Sequence, residues 1–235
     1  MAMGGITAIV FDKDGTLFDF HATWAVWAAD FLADLAAGDT GRLIALGAAI
    51  GFDPVDARFA PSSPAIAGTP DELAALMLPH LPGVEADTLI ARINAAAVGT
   101  AMHAAVPLAP LMATLAARGL ALGVATNDAE APARAHLQAA GVADRFQFIA
   151  GCDSGHGAKP APGQLIAFAR ACGRAPQEVL MVGDSRHDLL AGRAAGMGTV
   201  AVLTGLAEAA DLADLADVVL PDIGHLPAYL DRHIP

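Results

Sequence analysis

Phe11-Asp12-Lys13-Asp14-Gly15-Thr16-Leu17 follows the apolar pair Ile9-Val10, so two carboxylates stand two residues apart where a buried strand would end. Side chains alternate along a strand, but beyond its end Asp12 and Asp14 can turn toward one pocket, with Gly15 supplying the backbone freedom. One carboxylate could then attack phosphorus while the other handles a proton. The same Asp, Gly and Thr could equally be ordinary turn residues that only hydrogen-bond the backbone. The exits of the remaining strands must decide.

From Gly119 onward, short apolar runs at 120–125, 146–150, 179–182, 199–203 and 218–220 alternate with Ala/Leu-rich helical stretches. That rhythm predicts a parallel sheet covered by helices. The helical stretches fall near 130–140, 162–171, 187–195 and 208–215, and three of them close on Gly141, Gly173 and Gly196. The first strand, 6–11, belongs to the same sheet although the whole of 18–105 separates it from the next. That intervening segment has Gly and Pro breaks and no β-branched run, so it reads as an all-helical insertion with helices near 23–37, 40–50, 70–78 and 85–102 and a loop at 61–70. Trp24 and Trp27, three apart on one helix face, are expected to pack that insertion's core.

Composition narrows the function. The chain has 235 residues, 55% of them apolar, enough to bury a substantial core. Its net charge of -12 disfavours nucleic acid or an anionic membrane as a partner, since both attract clustered Lys and Arg. The longest uncharged stretch, 93–117, is interrupted by Asn94, His103, Pro107 and Pro110 and reads as a helix, a linker and the next helix, with no membrane span expected. No basic segment precedes the first apolar run, so no secretory leader is expected. Cys152 and Cys172 lack C-x-x-C spacing and fit reduced thiols, which makes the cytoplasm the expected compartment. The only two lysines are Lys13 and Lys159. An acidic protein must make a phosphate site positive locally, through a metal ion or a few placed cations.

In an open parallel sheet, ligands bind beyond the carboxyl ends of the strands. After 120–125 come Thr126 and Asn127, a hydroxyl and an amide suited to phosphate oxygens. After 146–150 a glycine-rich loop leads to Lys159-Pro160, a cation near a helix start that could neutralise phosphate or clamp a carboxylate. After 179–182 comes Gly183-Asp184-Ser185-Arg186-His187-Asp188, with Asp184 in the loop and Asp188 in the first helical turn, where both could face one ion. Four consecutive strand ends thus offer D-x-D, Thr, Lys and D-x-x-x-D.

This order resembles the haloacid dehalogenase superfamily of phosphatases, and within it most closely the phosphoglycolate phosphatase branch. The resemblance implies an α/β fold: a Rossmann-like parallel-sheet core of that type, residues 1–17 and 106–235, with an inserted all-helical cap at 18–105. It implies that Asp12 attacks phosphorus to give an aspartyl-phosphate, and that Asp14 protonates the leaving oxygen and then activates water. Crowding of Asp14 by Asp12, Asp184 and Asp188 is expected to favour that acid role. By the same resemblance, Mg²⁺ is held by the Asp12 carboxylate, the Asp14 backbone carbonyl and Asp184, with Asp188 assisting; hard oxygen ligands suit magnesium. Thr126, Asn127 and Lys159 hold the phosphate. The implied substrate is a small phosphorylated metabolite, phosphoglycolate or similar, and the implied assembly a monomer or homodimer.

Other branches are separated by single residues. Asp14 argues against a dehalogenase, which lacks the second acid, and against a P-type ion pump, which carries Thr there. A phosphonate hydrolase needs a cap lysine, and 18–105 contains none. A sugar phosphomutase shares the core chemistry. A phospho-accepting regulatory domain of receiver type also uses acids, Thr and Lys at strand ends, but its acceptor follows a later strand. Arg42, Arg58 and Arg92 are the cap's only strong cations, so a substrate carboxylate would look to one of them. Lys13 is expected to point away from the pocket as a structural residue, and His21, His156 and His187 to be structural or surface residues. Asp128 departs from the basic residue that many relatives carry after Thr-Asn.

Overall fold

A computed structural model describes residues 5–233. Residues 1–4, at the start of the expected core and of the segment read for a leader, lie outside the described residues, as do 234 and 235.

The first described strand is β1 (Ala8–Phe11), every residue of which is buried. The chain then leaves the sheet. α1 (Phe20–Ala36) starts three residues before the expected position because the Asp19 side chain caps it, accepting from Ala22 N at 2.8 Å. α2 (Thr40–Ala49) is capped in the same way by Asp39. β2 (Phe52–Asp53) and β3 (Arg58–Phe59) pair as a short antiparallel ribbon, so the insertion is not all-helical. Each strand has two residues, too few to show an alternating pattern in sequence. α3 (Pro70–Met77) opens on a capping box between Thr69 and Glu72, and α4 (Ala86–Val98) completes the insertion. Phe20, Trp27, Phe31, Leu46, Ile50, Phe59, Met77 and Leu89 bury their side chains in one core of this segment's own.

Entry and exit of the insertion run side by side: Asp19 N donates to His103 O, and Ala105 N to Leu17 O. The chain then returns through α5 (Leu108–Ala117), β4 (Ala121–Ala125), α6 (Glu130–Ala139), β5 (Phe148–Ala150), α7 (Gly163–Ala171), β6 (Val179–Gly183), α8 (Arg186–Ala195), β7 (Gly198–Val202), α9 (Ala209–Leu212), β8 (Val218–Leu220) and α10 (Leu226–His233). The six long-range strands form one parallel sheet in the order β5-β4-β1-β6-β7-β8.

The register Phe11↔Val124 and Phe11↔Val182 brings the ends of β4, β1 and β6 level. Alternation then serves two cores: Ile9, Phe11, Val124 and Val182 pack on the face covered by α5, α6 and α10, whereas Ala8, Val10 and Met181 face α7 and α8. The second face is rich in alanine, including Ala8, Ala121, Ala169 and Ala191. No described helix is long and apolar enough to cross a membrane.

Candidate active site

The ladder continues one residue past β1, with Asp12 N donating to Val182 O at 2.8 Å. This delivers the Asp12 carboxylate to the level where β4 and β6 also end. Gly15 turns the chain with φ of 82°, and a side chain there would collide with Asp184. Thr16, fully buried, donates its hydroxyl to Asp184 Oδ1 at 3.1 Å. Asp188 sits in the first turn of α8, whose N-cap Ser185 donates both its N–H and its hydroxyl to Asp188 Oδ2, at 3.0 and 2.7 Å.

Asp12, Asp184 and Asp188 each offer an oxygen within 4.8 Å of the others, and all three residues are buried. Lys159 Nζ lies 2.6 Å from both Asp12 Oδ1 and Asp188 Oδ1. Among the described residues, Asp184 has no such cation at hydrogen-bond distance. Burial above all, and then neighbouring carboxylates, push Asp184 well above the ordinary value and Asp12 up to about 7, despite Lys159. Three dehydrated carboxylates sharing one ammonium group are short of positive charge. An all-oxygen set with that deficit fits a hard divalent cation such as Mg²⁺.

Asp14 is placed differently. It lies near enough to Asp12 to act on it electrostatically, but its own closest partners are Lys13 and Trp24. Lys13 Nζ lies 2.8 Å from both Asp14 oxygens, and the Trp24 indole N–H donates to Asp14 Oδ1 at 2.9 Å. Lys13 is absent from the cavity lining, as expected of a structural residue, and is wholly buried against the acid. Its ammonium group also meets Asp128 Oδ2 at 3.1 Å and His136 Nδ1 at 3.0 Å, and lies 5.2 Å from the centre of the Trp24 ring. His136 Nε2 sits 2.7 Å from the Ala97 carbonyl, which can only accept, so Nε2 carries the proton and Nδ1 accepts from Lys13. Burial, followed by the Lys13 charge, pushes His136 down, which keeps that tautomer neutral. Burial works against the charge on Lys13, but Asp14 and Asp128 outweigh it and raise its value. The acidic residue after Thr126-Asn127 is thus the second counterion of an unusual lysine. His136 and Trp24 were not expected in the site; each comes from a helix that the motifs do not mark.

Thr126 is buried and lines the cavity. The Asn127 side chain is occupied: Nδ2 donates to Ala67 O at 2.7 Å and to Lys159 O at 2.9 Å, while Oδ1 accepts from Lys159 N at 2.8 Å. Both side-chain amide hydrogens are thus spent on carbonyls, while the residue itself lines the cavity. The Asn127 side chain fixes the lysine loop and ties it to the 61–70 loop of the insertion. One further strand exit also contributes. Thr204, just past β7, donates its hydroxyl to Gly15 O at 2.6 Å, and Gly205 packs so closely on Asp184 that no side chain fits. In sequence Thr204-Gly205 is an ordinary turn pair with no signal of this role.

The cavity above these residues has an empty volume of about 710 Å³, mouth included, and opens over Asp12, Asp14, Thr126, Lys159 and Asp188. None of the cap arginines lines it. Arg92 pairs with Asp34 at 2.7 Å, Arg42 lies 3.9 Å from Asp39, and Arg58 is exposed while its strand neighbour Phe59 points inward. Trp24 and Trp27 pack edge to face at 5.3 Å, and both line the cavity in addition to packing the insertion. His187 stands at the cavity's edge, His156 is exposed beside Phe148, and His21 does not line the cavity.

Residues 6–196 match the family of haloacid dehalogenase-like hydrolases. The chain belongs to the haloacid dehalogenase-like hydrolases. Among curated members, it is 42% identical to a phosphoglycolate phosphatase of Rhodospirillum rubrum over 95 residues, covering 40% of this chain and 39% of that protein. It is 37% identical to the phosphoglycolate phosphatase of Escherichia coli over 121 residues, 51% of this chain and 48% of that one. The chain thus spans about half or less of the length of these curated relatives. In fold it is similar to a predicted phosphoglycolate phosphatase from Haemophilus somnus, with a TM-score of 0.72 at 19% identity over 97% of this chain and 99% of the other. The haloacid dehalogenase-like fold accounts for the order of strand ends.

Proposed function

We propose that this chain is a Mg²⁺-dependent phosphatase that hydrolyses a small phosphomonoester through an aspartyl-phosphate on Asp12, with 18–105 as its cap and 1–17 with 106–235 as its catalytic core. The observation that carries this reading is the Asp12 carboxylate, clamped through Oδ1 by Lys159, grouped with Asp184 and Asp188, and open to a cavity shared with Asp14 and Thr126.

Because Lys159 occupies Oδ1, Asp12 Oδ2 is the nucleophile. It bonds to phosphorus as the ester P–O bond breaks, and Asp14 gives a proton to the departing alkoxide. Water then attacks the phosphoryl group, passing a proton to Asp14, and inorganic phosphate leaves with Asp12 restored. Lys159 and the Thr126 hydroxyl offset charge on the phosphoryl oxygens. Asp12, Asp184, Asp188 and the Asp14 carbonyl would hold Mg²⁺, which when bound supplies charge neutralisation for the transferring group. Asn127 acts as a positioning residue for Lys159. The two free cysteines support a cytoplasmic enzyme acting on a phosphorylated metabolite.

Asp12→Asn should lower phosphate release by at least about 10³-fold while the unfolding transition stays cooperative. Phosphoglycolate, named for the matched relatives, is the reference ester. Release that survives this substitution would rule out Asp12 as the nucleophile, and release that survives chelation with EDTA would rule out the metal.

A further inference from the structure

We infer that the group released from phosphate at this site is uncharged and hydrocarbon-rich, so that the substrate class is an aryl-alkyl or similarly apolar phosphate ester and not phosphoglycolate. The inference rests on the phosphatase reading above and names the substrate class of the same cavity.

The cavity has two unlike halves. Its floor is polar and comes from the core. Its cap side consists of Phe20, Trp24, Trp27, Phe59, Leu73 and Ile93, joined by the loop Ala65 to Pro70. Most polar atoms of this wall are already used, the exception among its side chains being Trp27 Nε1, which is buried without a hydrogen-bond partner. Trp24 gives its N–H to Asp14. In the loop, Ile66 N donates to Ser63 O, Ala67 N and Gly68 N donate to Pro64 O, and Ala67 O is taken by Asn127. No arginine or lysine of the cap lines the cavity, and Trp27 is packed between Trp24 and Phe31 at 5.3 and 5.0 Å.

A phosphoglycolate carboxylate placed against this wall would lose its water and meet no cation there, the unpaired side-chain donor being the buried Trp27 indole N–H alone. A sugar would leave several hydroxyls unpaired. A benzyl or phenylethyl group would instead displace water from apolar surface and meet aromatic faces and edges. The remaining polar groups away from the floor, Ser185 and His187, belong to the core side at the start of α8.

The test compares kcat/KM of the intact chain with Mg²⁺ on benzyl phosphate, phosphoglycolate, a hexose phosphate and phosphocholine. Benzyl phosphate is chosen because its leaving alcohol is of ordinary alkyl type, so intrinsic reactivity does not favour it. It should exceed each of the others by about 10-fold or more. Ile66→Arg, which puts a cation on the half-buried cap wall, should shift the ratio toward phosphoglycolate. Equal or better turnover of phosphoglycolate or the hexose phosphate by the unaltered chain would overturn the inference. So would a preference for phosphocholine, which would mean that the rings read a cation. Turnover of none of the esters would sink the phosphatase reading itself, and this inference with it.

Discussion

At the scale of single residues, the centre of interest is the pair of lysines, each buried between carboxylates for a different purpose. Lys159 clamps the proposed nucleophile, whereas Lys13 fixes the orientation of Asp14 and links it to Asp128 and His136. Asp14→Asn should slow phosphate release by about 10² to 10⁴ through lost proton transfer; an unchanged rate in a steady-state assay would assign the proton to another group. Lys13→Met leaves two partly buried carboxylates, Asp14 and Asp128, without their shared counterion and should cost about 3 kcal/mol in denaturant unfolding. Adding Asp128→Leu should recover part of that loss, and a single variant as stable as the parent would remove the ion pair from the account. The residues at strand ends were legible in sequence because each stands directly after an apolar run. Lys13, Asp128, His136 and Trp24 were not, because their meeting depends on how α1 and α6 pack over the end of β1, which no local spacing encodes.

At the scale of elements, most strands and helices were readable within a few residues, since apolar runs and Gly or Pro boundaries set them, whereas α10 (Leu226–His233) was not read at all. The other exceptions have local causes: Asp19 begins α1 early, and the β2–β3 ribbon is too short to alternate. The link between elements that sequence hid is the Asn127 side chain, which holds the Lys159 loop and the 61–70 loop through three hydrogen bonds. Each such bond contributes about 0.5–1.5 kcal/mol net. Asn127→Ala should therefore speed hydrogen exchange of the backbone in 61–70 and lower kcat, through freer movement of the lysine loop and the cap wall. Exchange in that loop at the parent rate would show that the amide does not secure it.

At the scale of the whole molecule, five carboxylates and two ammonium groups are gathered between two hydrophobic cores in a chain of net charge -12. The folded metal-free chain raises Asp12 from the ordinary 3.8 to about 7, chiefly by burial. A raised carboxyl contributes stability that is full below the unfolded value and is lost as pH rises through about 7. Mg²⁺ needs the ionised form and must displace that proton at lower pH. The rise in melting temperature on adding Mg²⁺ should thus be larger near pH 8 than near pH 6. A rise that is equal or greater at the lower pH would remove the buried carboxylates from the metal site.

The position of β1 between β4 and β6 has a consequence for how the chain is made. β1 leaves the ribosome before the strands that flank it in the sheet, 121–125 and 179–183, which follow only after the entire insertion has been synthesised. The insertion is continuous in sequence and owns its core, so it can collapse during that interval, while β1 stays an apolar strand with both edges free. The segment most exposed to wrong partners during synthesis is the one that ends at Asp12.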